Sequence, residues 1–401
     1  MKLAVDLHLH SRYAGHVSPD MTLPRIITCA QCKGLDVLGT GDCLQSDWLR
    51  EIEGHLFETG SGFLLPRAET YQTSRETLPL HLQRPVRFVL STEVCCAPHG
   101  TKRLGGLHHL LYFRSLASVR RLREKLLRFG DLKDGRPTLA LSSHDLLALI
   151  LDHGDGCELA PAHVLSPWFS SLGSVSGRQT LQEIFGDNAR HLLAIETGIT
   201  STPAMCRRIS ALDGHTLICS SDAHSPAKLG REYTILDIEP NYDSVISTLR
   251  HPAQTRLLRY VKYPCERTGY YYNYCGFCQN AQHGSICAHC ERPLIVGSRD
   301  RVEVIADRNE PISLPHDPPF CELVPLVELI AQELGLSRDS ERVCRLHTRF
   351  LHEIGHERYV ITEAPLEELL HVTTPAFANA IVDQRHAPHA LQSREQLSLR
   401  F

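Results

Sequence analysis

Leu3-Ala-Val-Asp-Leu-His-Leu-His10 begins as an apolar strand and ends in two histidines spaced i, i+2. Side chains two apart on a strand share a face, so His8 and His10 can grip one site while Leu7 and Leu9 face the core. The plainer alternative is a strand that happens to carry two histidines. Asp222-Ala-His224, after the apolar run Leu217–Ser220, repeats the geometry of ligand, spacer and ligand at a strand end. An aspartate helix cap would explain that pair taken alone. Two such pairs, on the first strand and a late strand of one chain, are harder to dismiss.

Between them, metal-binding residue types recur at strand ends. Asp42 follows Leu35–Leu38, and Glu93 follows Val86–Leu90. His108-His109 opens the run to Phe113, and His163 follows Cys157–Ala160. Each is more often structural when taken singly. Together they suit zinc, manganese or iron, with carboxylates to bridge ions in a multinuclear site.

Short apolar runs over 3–9, 35–38, 86–90, 107–113, 192–195, 217–219 and 233–238 read as strands. Segments 23–33, 46–58, 115–129, 142–152, 178–186 and 241–250 carry helical spacing. This alternation predicts an α/β fold with a parallel sheet or a barrel, with its chemistry at the C-terminal strand ends. The predicted organisation is an α/β domain over 1–262, a cysteine module over 263–306 and a helical region over 320–401. Residues 307–319 are proline-rich and read as a linker; helices are expected at 324–334, before Gly335, and at 338–354.

The chain has 401 residues, 42% of them apolar, enough for a substantial core. A net charge of −4 argues mildly against nucleic-acid binding by bulk charge, but bound cations add charge that this count omits. The N-terminus has no basic region followed by an apolar one, and no apolar stretch reaches membrane-spanning length. The expectation is a cytoplasmic protein with no membrane partner. Fifteen cysteines, an odd number, favour free thiols and metal ligands over disulfides.

Cys275-Gly-Phe-Cys278 and Cys287-Ala-His-Cys290 form two C-x2-C knuckles with eight residues between them. Four thiolates in that pattern match tetrahedral structural Zn2+. The gap is shorter than usual and predicts a compact, zinc-ribbon-like module, with Cys265, His283 and His289 in reserve. Tyr270, Tyr271, Tyr272, Tyr274 and Phe277 crowd beside it. Such rings stack on bases or supply a small module's missing core.

The order His-x-His, Asp, Glu, His, His, Asp-x-His resembles the polymerase and histidinol phosphatase (PHP) superfamily, whose domain is a distorted βα barrel with a trinuclear metal site. Longer motifs sharpen the likeness. Asp6–Ser11, Lys33–Asp42, Pro161–His163, Ser166-Pro-Trp-Phe169, Glu196-Thr-Gly198, Ser221–Glu232 and the cysteine pairs resemble endonuclease Q, in the same order, to about residue 360. That resemblance implies a metal-dependent DNA repair endonuclease. It would nick the phosphodiester 5′ to deaminated bases (uracil, hypoxanthine, xanthine) or abasic sites in damaged DNA by metal-activated water. It implies His8, His10, Asp42, Glu93, His108, His163, Asp222 and His224 as ligands for two or three divalent metals (Zn2+, Mn2+, Fe2+ or Mg2+). Glu93 would bridge two of them, and His109 is the alternative to His108. Asp222, His224 and Glu93 would take part in catalysis, with Arg231 either holding a phosphate or pairing with Glu232. Trp168 and Phe169 would wall a pocket for a flipped base or pack in the core.

There are departures from the family pattern. Members usually carry a histidine shortly after the second motif's Gly-Asp, whereas Asp42-Cys-Leu-Gln-Ser-Asp-Trp48 has none, leaving Cys43 or Asp47 as substitutes. Arg385-His-Ala-Pro-His-Ala-Leu stands where a glycine-rich motif is usual. The basic run Arg120–Arg128 reads as a solvated helix face or a phosphate contact, and Arg256, Arg259 and Lys262 as possible DNA contacts. Two rival functions remain. One is a small-molecule phosphatase like histidinol phosphatase, which the barrel alone would permit; the other is a DNA-binding protein with a weakened site. Protein partners are not legible.

Overall fold

The computed structural model describes residues 1–98, 105–251 and 256–386. A large mixed sheet organises the chain. The strand Lys2–Asp6 lies inside it, pairing parallel with Val37–Gly39 and antiparallel with Tyr233–Asp237. All but its first residue are buried, which explains the nearly continuous apolar run. Val37–Gly39 pairs parallel with Arg87–Cys96. Antiparallel ladders then join Arg87–Cys96 to Leu107–Phe113, and Leu107–Phe113 to Glu158–Pro161.

Backbone hydrogen bonds carry the circuit onward. Leu193 N–H donates to the Leu159 carbonyl and Val164 N–H to that of Glu196, both at 2.9 Å. Ile195–Glu196 pairs parallel with Leu217–Ile218. His10 N–H then donates to the Ala223 carbonyl at 3.0 Å, returning to the end of the first strand. The sheet is therefore mixed where βα alternation predicted parallel strands throughout. Leu107–Phe113 follows Arg87–Cys96 after a connection shorter than the dozen or so residues that a parallel return requires.

Helices Leu23–Lys33, Ser46–His55, Leu116–Leu126, Ser143–His153 and Tyr242–Arg250 match the predicted segments to within a few residues. Ser115, Ser142 and Asn241 cap the last three, each side-chain oxygen accepting a backbone N–H. Of the segment expected helical over 178–186, only Gln182–Phe185 is α-helical, and Gly186 closes it at φ 58°.

Leu257–Lys262 pairs antiparallel with Tyr233–Asp237 and parallel with Phe320–Glu322. The cysteine module thus leaves the sheet at one strand and the chain rejoins it at the next. The module holds a small antiparallel pair, Asn273–Cys275 with Asn280–Gln282, and an unpredicted helix, Ser298–Ile305. Helices Leu326–Leu334, Glu341–Glu353, Glu357–Thr362, Leu366–Val372 and Pro375–His386 follow; residues 387–401 of the expected helical region lie outside the described ones.

This helical region docks on the first helix. Gly34 ends that helix at φ 79°, and a Cβ there would lie 2.4 Å from His356 Nδ1, so only glycine permits the approach. Arg358 donates to the Gly34 carbonyl at 3.0 Å, and Lys33 pairs with Glu357 at 2.7 Å. Phe350, Val360 and Phe377 share one continuous apolar core with the strands. Among the described residues, no helix is long and apolar enough to cross a membrane.

Candidate metal centre

The ends of the circuit strands place buried imidazoles and carboxylates around one point. His8, His10 and Asp222 form one group, and Glu93, His108 and His163 another; within each, the candidate ligand atoms lie within 4.8 Å of one another. Glu93 links the two. Its Oε1 is 3.0 Å from His108 Nδ1 and from His163 Nε2, and 3.7 Å from His8 Nε2. Its Oε2 is 3.5 Å from His10 Nε2. Asp222 Oδ1 lies 3.5 Å from His8 Nε2 and 3.3 Å from His10 Nε2.

Two further carboxylates stand behind the first pair of rings. Glu196 takes His8 Nδ1 at 3.0 Å, and Asp42 takes His10 Nδ1 at 3.0 Å. Asp42 is held in turn by the backbone N–H and hydroxyl of Ser11, at 2.6 and 2.7 Å. A carboxylate on Nδ1 fixes the tautomer and turns the Nε2 lone pair inward, as outer partners of metal-bound histidines do. Asp42 thus sits behind His10, outside both groups of converging atoms. Glu196 belongs to the Glu196-Thr-Gly198 motif but not to the ligand set the resemblance implies; its place behind His8 depends on the pairing of distant strands.

His8 Nε2, His10 Nε2, His163 Nδ1 and Asp222 Oδ1 are buried without a hydrogen-bond partner. His8 Nε2 and His10 Nε2 both converge on Asp222 Oδ1, an arrangement that would be costly unless a cation or proton satisfied it, so these residues fit divalent cations. The electrostatics agree. Burial opposes charging of His8 and His10, but Glu196 for the first and Asp42 for the second, with Asp222 and Glu93, outweigh it and lift them to about 9 and about 10. Against the cost of burial, the histidines hold Glu93 and Asp222 well below the ordinary carboxylate range. Burial pushes His108 down to about 4, leaving it neutral and able to donate a lone pair.

The backbone bends to make this geometry. Asp42, His163 and Asp222 all take positive φ, at 47°, 31° and 47°. Such conformations cost on the order of 1 kcal/mol or more in non-glycine residues and concentrate at functional sites. Gly198, at φ 70°, lies under His163; a Cβ there would come 2.4 Å from that of the histidine.

The remaining candidates sort clearly. His109 turns away: its Nε2 meets Ser143 Oγ at 2.7 Å and its ring packs on Phe185, so His108 is the one that joins the group. The His224 ring lies 4.7 Å from that of His10, with Nδ1 on the Asp222 carbonyl at 2.9 Å. Cys43 is buried in the apolar core and Asp47 pairs with Arg50, so neither substitutes for the histidine missing after Asp42. Arg231 does not pair with Glu232. It donates to the carbonyls of Ser221 and Asp222, at 2.7 and 3.3 Å, bracing the Asp222 loop. Glu232 is buried against Lys262, which removes Lys262 from the surface where DNA contact was expected. Arg120 and Arg121 pair with Glu53 and Asp155, as a solvated face would. Arg136, which sequence reading passed over, reaches Glu93 Oε2 at 3.4 Å. Trp168 and Phe169 both pack: Phe169 stacks on His108 at 4.7 Å, and Trp168 meets Tyr270 edge-on at 4.7 Å.

In the module, Cys275, Cys278, Cys287 and Cys290 also converge within 4.8 Å, with Sγ pairs at 3.6 and 3.8 Å. Cys278 N–H donates to Cys275 Sγ at 3.3 Å. Four convergent thiols suit one tetrahedral ion. Of the reserve ligands, Cys265 instead neighbours Glu266 and Glu322, and His283 packs on Tyr272.

Fold and sites together define an α/β protein with a histidine–carboxylate centre and a separate four-cysteine cluster. No family model matches the chain. Its curated relatives include the uncharacterized protein MJ0043 of Methanocaldococcus jannaschii, 31% identical over 165 residues. That match covers 41% of this chain but only 16% of the relative. The uncharacterized protein YqxK of Bacillus subtilis is 24% identical over 402 residues, covering 96% of this chain and 95% of the relative. Two solved structures are similar over 96% of the chain at 28% identity. One is the lesion-specific endonuclease PfuEndoQ from Pyrococcus furiosus, with a TM-score of 0.81 and 91% of its own chain covered. The other is endonuclease Q with a 27-mer duplex carrying an abasic lesion at the active site, with a TM-score of 0.83 and 92% covered. This likeness supports the endonuclease Q family, the one its motifs resemble.

Proposed function

We propose that this chain is a DNA repair endonuclease that hydrolyses the phosphodiester 5′ to an abasic site or a deaminated base. The observation that carries the reading is the extent of the structural likeness, which reaches 96% of the chain, beyond the sheet into the cysteine module and the helices. A small phosphomonoester would need neither of those regions, so the phosphatase alternative leaves them unexplained. We read the hydrogen-bonded circuit of strands as a distorted βα barrel of the PHP kind.

His8, His10 and Asp222 would hold one cation and Glu93, His108 and His163 another, with Glu93 between them and His224 beside His10. Divalent cations there would supply Lewis-acid activation of water and neutralise charge developing on the phosphate. Glu196 and Asp42 keep protons on the Nδ1 atoms of His8 and His10, so that both Nε2 lone pairs face the centre. Arg136 offers a guanidinium beside Glu93 for a phosphate oxygen. Arg231 fixes the loop that aims Asp222. Water adds to phosphorus, the P–O3′ bond breaks, and the products are a 3′-hydroxyl and a 5′-phosphate. An abasic or mispaired nucleotide leaves the stack at lower cost, which favours the lesion. The four thiols would hold structural Zn2+ with no position open to substrate.

The deciding measurement is nicking of a duplex with one abasic site or one deoxyuridine, with manganese or magnesium added. Cleavage on the 5′ side, absent from the undamaged duplex, is expected. Equal inertness of both duplexes, with hydrolysis of histidinol phosphate, would instead establish the phosphatase.

A further inference from the structure

We propose that Trp168 is a positioning residue through which the cysteine module holds the Glu93–His108–His163 group in place; this rests on the reading of that group as a cation site. The segment between His163 and Ser174 touches both regions. At one end, Phe169 stacks on the His108 ring with 18° between the planes, and its carbonyl accepts the His108 N–H at 2.8 Å. Phe169 itself takes φ 56°, a conformation that persists in a non-glycine residue only where its surroundings impose it.

The restraint comes from the next side chain. Trp168 sits edge-on to Tyr270 at 4.7 Å and to Tyr274 at 6.2 Å, and these two tyrosines meet each other at 5.4 Å. Tyr274 directly precedes Cys275 and is fixed by paired backbone hydrogen bonds to Ile295. Two further ties fasten the same segment. Ser174 donates to the Val296 carbonyl at 2.7 Å, and the buried Arg301 donates to that of Leu172 at 2.8 Å. A mechanical chain therefore runs from the thiol cluster through Tyr274, Trp168 and Phe169 to His108. The His8–His10–Asp222 group lies outside it.

The test is Mn2+ titration of zinc-loaded protein, followed by electron paramagnetic resonance, with His108→Ala marking which binding class belongs to the second group. Trp168→Ala is expected to weaken that class by about tenfold, the scale of outer-layer support at metal sites. The other class and the zinc content stay unchanged, and Trp168→Phe restores most of the affinity. A folded Trp168→Ala protein with wild-type affinity in both classes would overturn the inference. Should that variant fail to fold, Tyr274→Ala, altered on the module's side, carries the same expectation and the same overturning result. A wild-type protein that binds no Mn2+ outside the thiols overturns the cation site itself and this inference with it; selective binding by wild type and Trp168→Ala alike overturns only the inference.

Discussion

The histidine–carboxylate centre and the cysteine cluster both gather ligands, but they are assembled in opposite ways. The thiols come from 16 consecutive residues, on two knuckles that carry their geometry locally. The centre draws on residues from His8 to His224, brought together by strands distant in sequence. The cluster is saturated by its own four atoms. The centre leaves buried Nε2 and carboxylate atoms aimed at one another without partners. A saturated site suits folding; an unsaturated one, with Arg136 at its side, suits chemistry.

This contrast can be broken experimentally. The largest effect is expected for Cys275→Ser. Structural zinc contributes about 10–16 kcal/mol in small modules, so bound zinc should fall by one per chain and the module should become open to proteolysis. The His8–His10–Asp222 group should still bind Mn2+; its loss would show that the two regions are not separable. Next, Asp222→Asn should lower nicking by roughly 10³-fold, about 4 kcal/mol, with zinc at the thiols intact. Near-normal nicking would remove Asp222 from the centre.

A third region supplies a control, since its buried carboxylate is fully paired. Burial disfavours the charged form of Glu357, but Lys33 and His347 outweigh this and lower it from 4.5 to about 2. Because the folded value is depressed, the stabilisation is complete above about pH 4.5 and is lost as pH falls toward 2, a change of about 3 kcal/mol. Urea unfolding from pH 5 downward should show this step in the wild type and a smaller one in Glu357→Gln. Identical slopes would contradict the pairing. The smallest effect is expected at Glu196→Gln, which keeps the shape behind His8 but loses the charge. Mn2+ affinity should fall about 10- to 100-fold without loss of fold, and unchanged affinity would make Glu196 a bystander.

Much of this was legible because local rules sufficed. Period-two spacing put His8 and His10 on one face, and the knuckle spacing brought the four thiols together. What escaped required knowing which strands are neighbours. Glu196 reaches His8 only because Ile195–Glu196 lies beside Leu217–Ile218, whose following residues bridge to the first strand. Adjacent histidines could not be separated by spacing; the strand pleat sends His108 inward and His109 toward Ser143. Charge alone makes Arg256, Arg259 and Lys262 candidate DNA contacts, yet the pleat buries Lys262 against Glu232. The sheet is mixed where parallel strands were expected, because strand direction leaves no trace in apolar periodicity alone.

The left-handed backbone at Asp42, His163 and Asp222 sets a limit on how this protein can be improved. Glycine would relax each of these positions while erasing the side chain that the bend exists to aim. A search for heat-resistant variants that ignored turnover would therefore drift toward replacements there, and the sturdiest descendants would be the least competent.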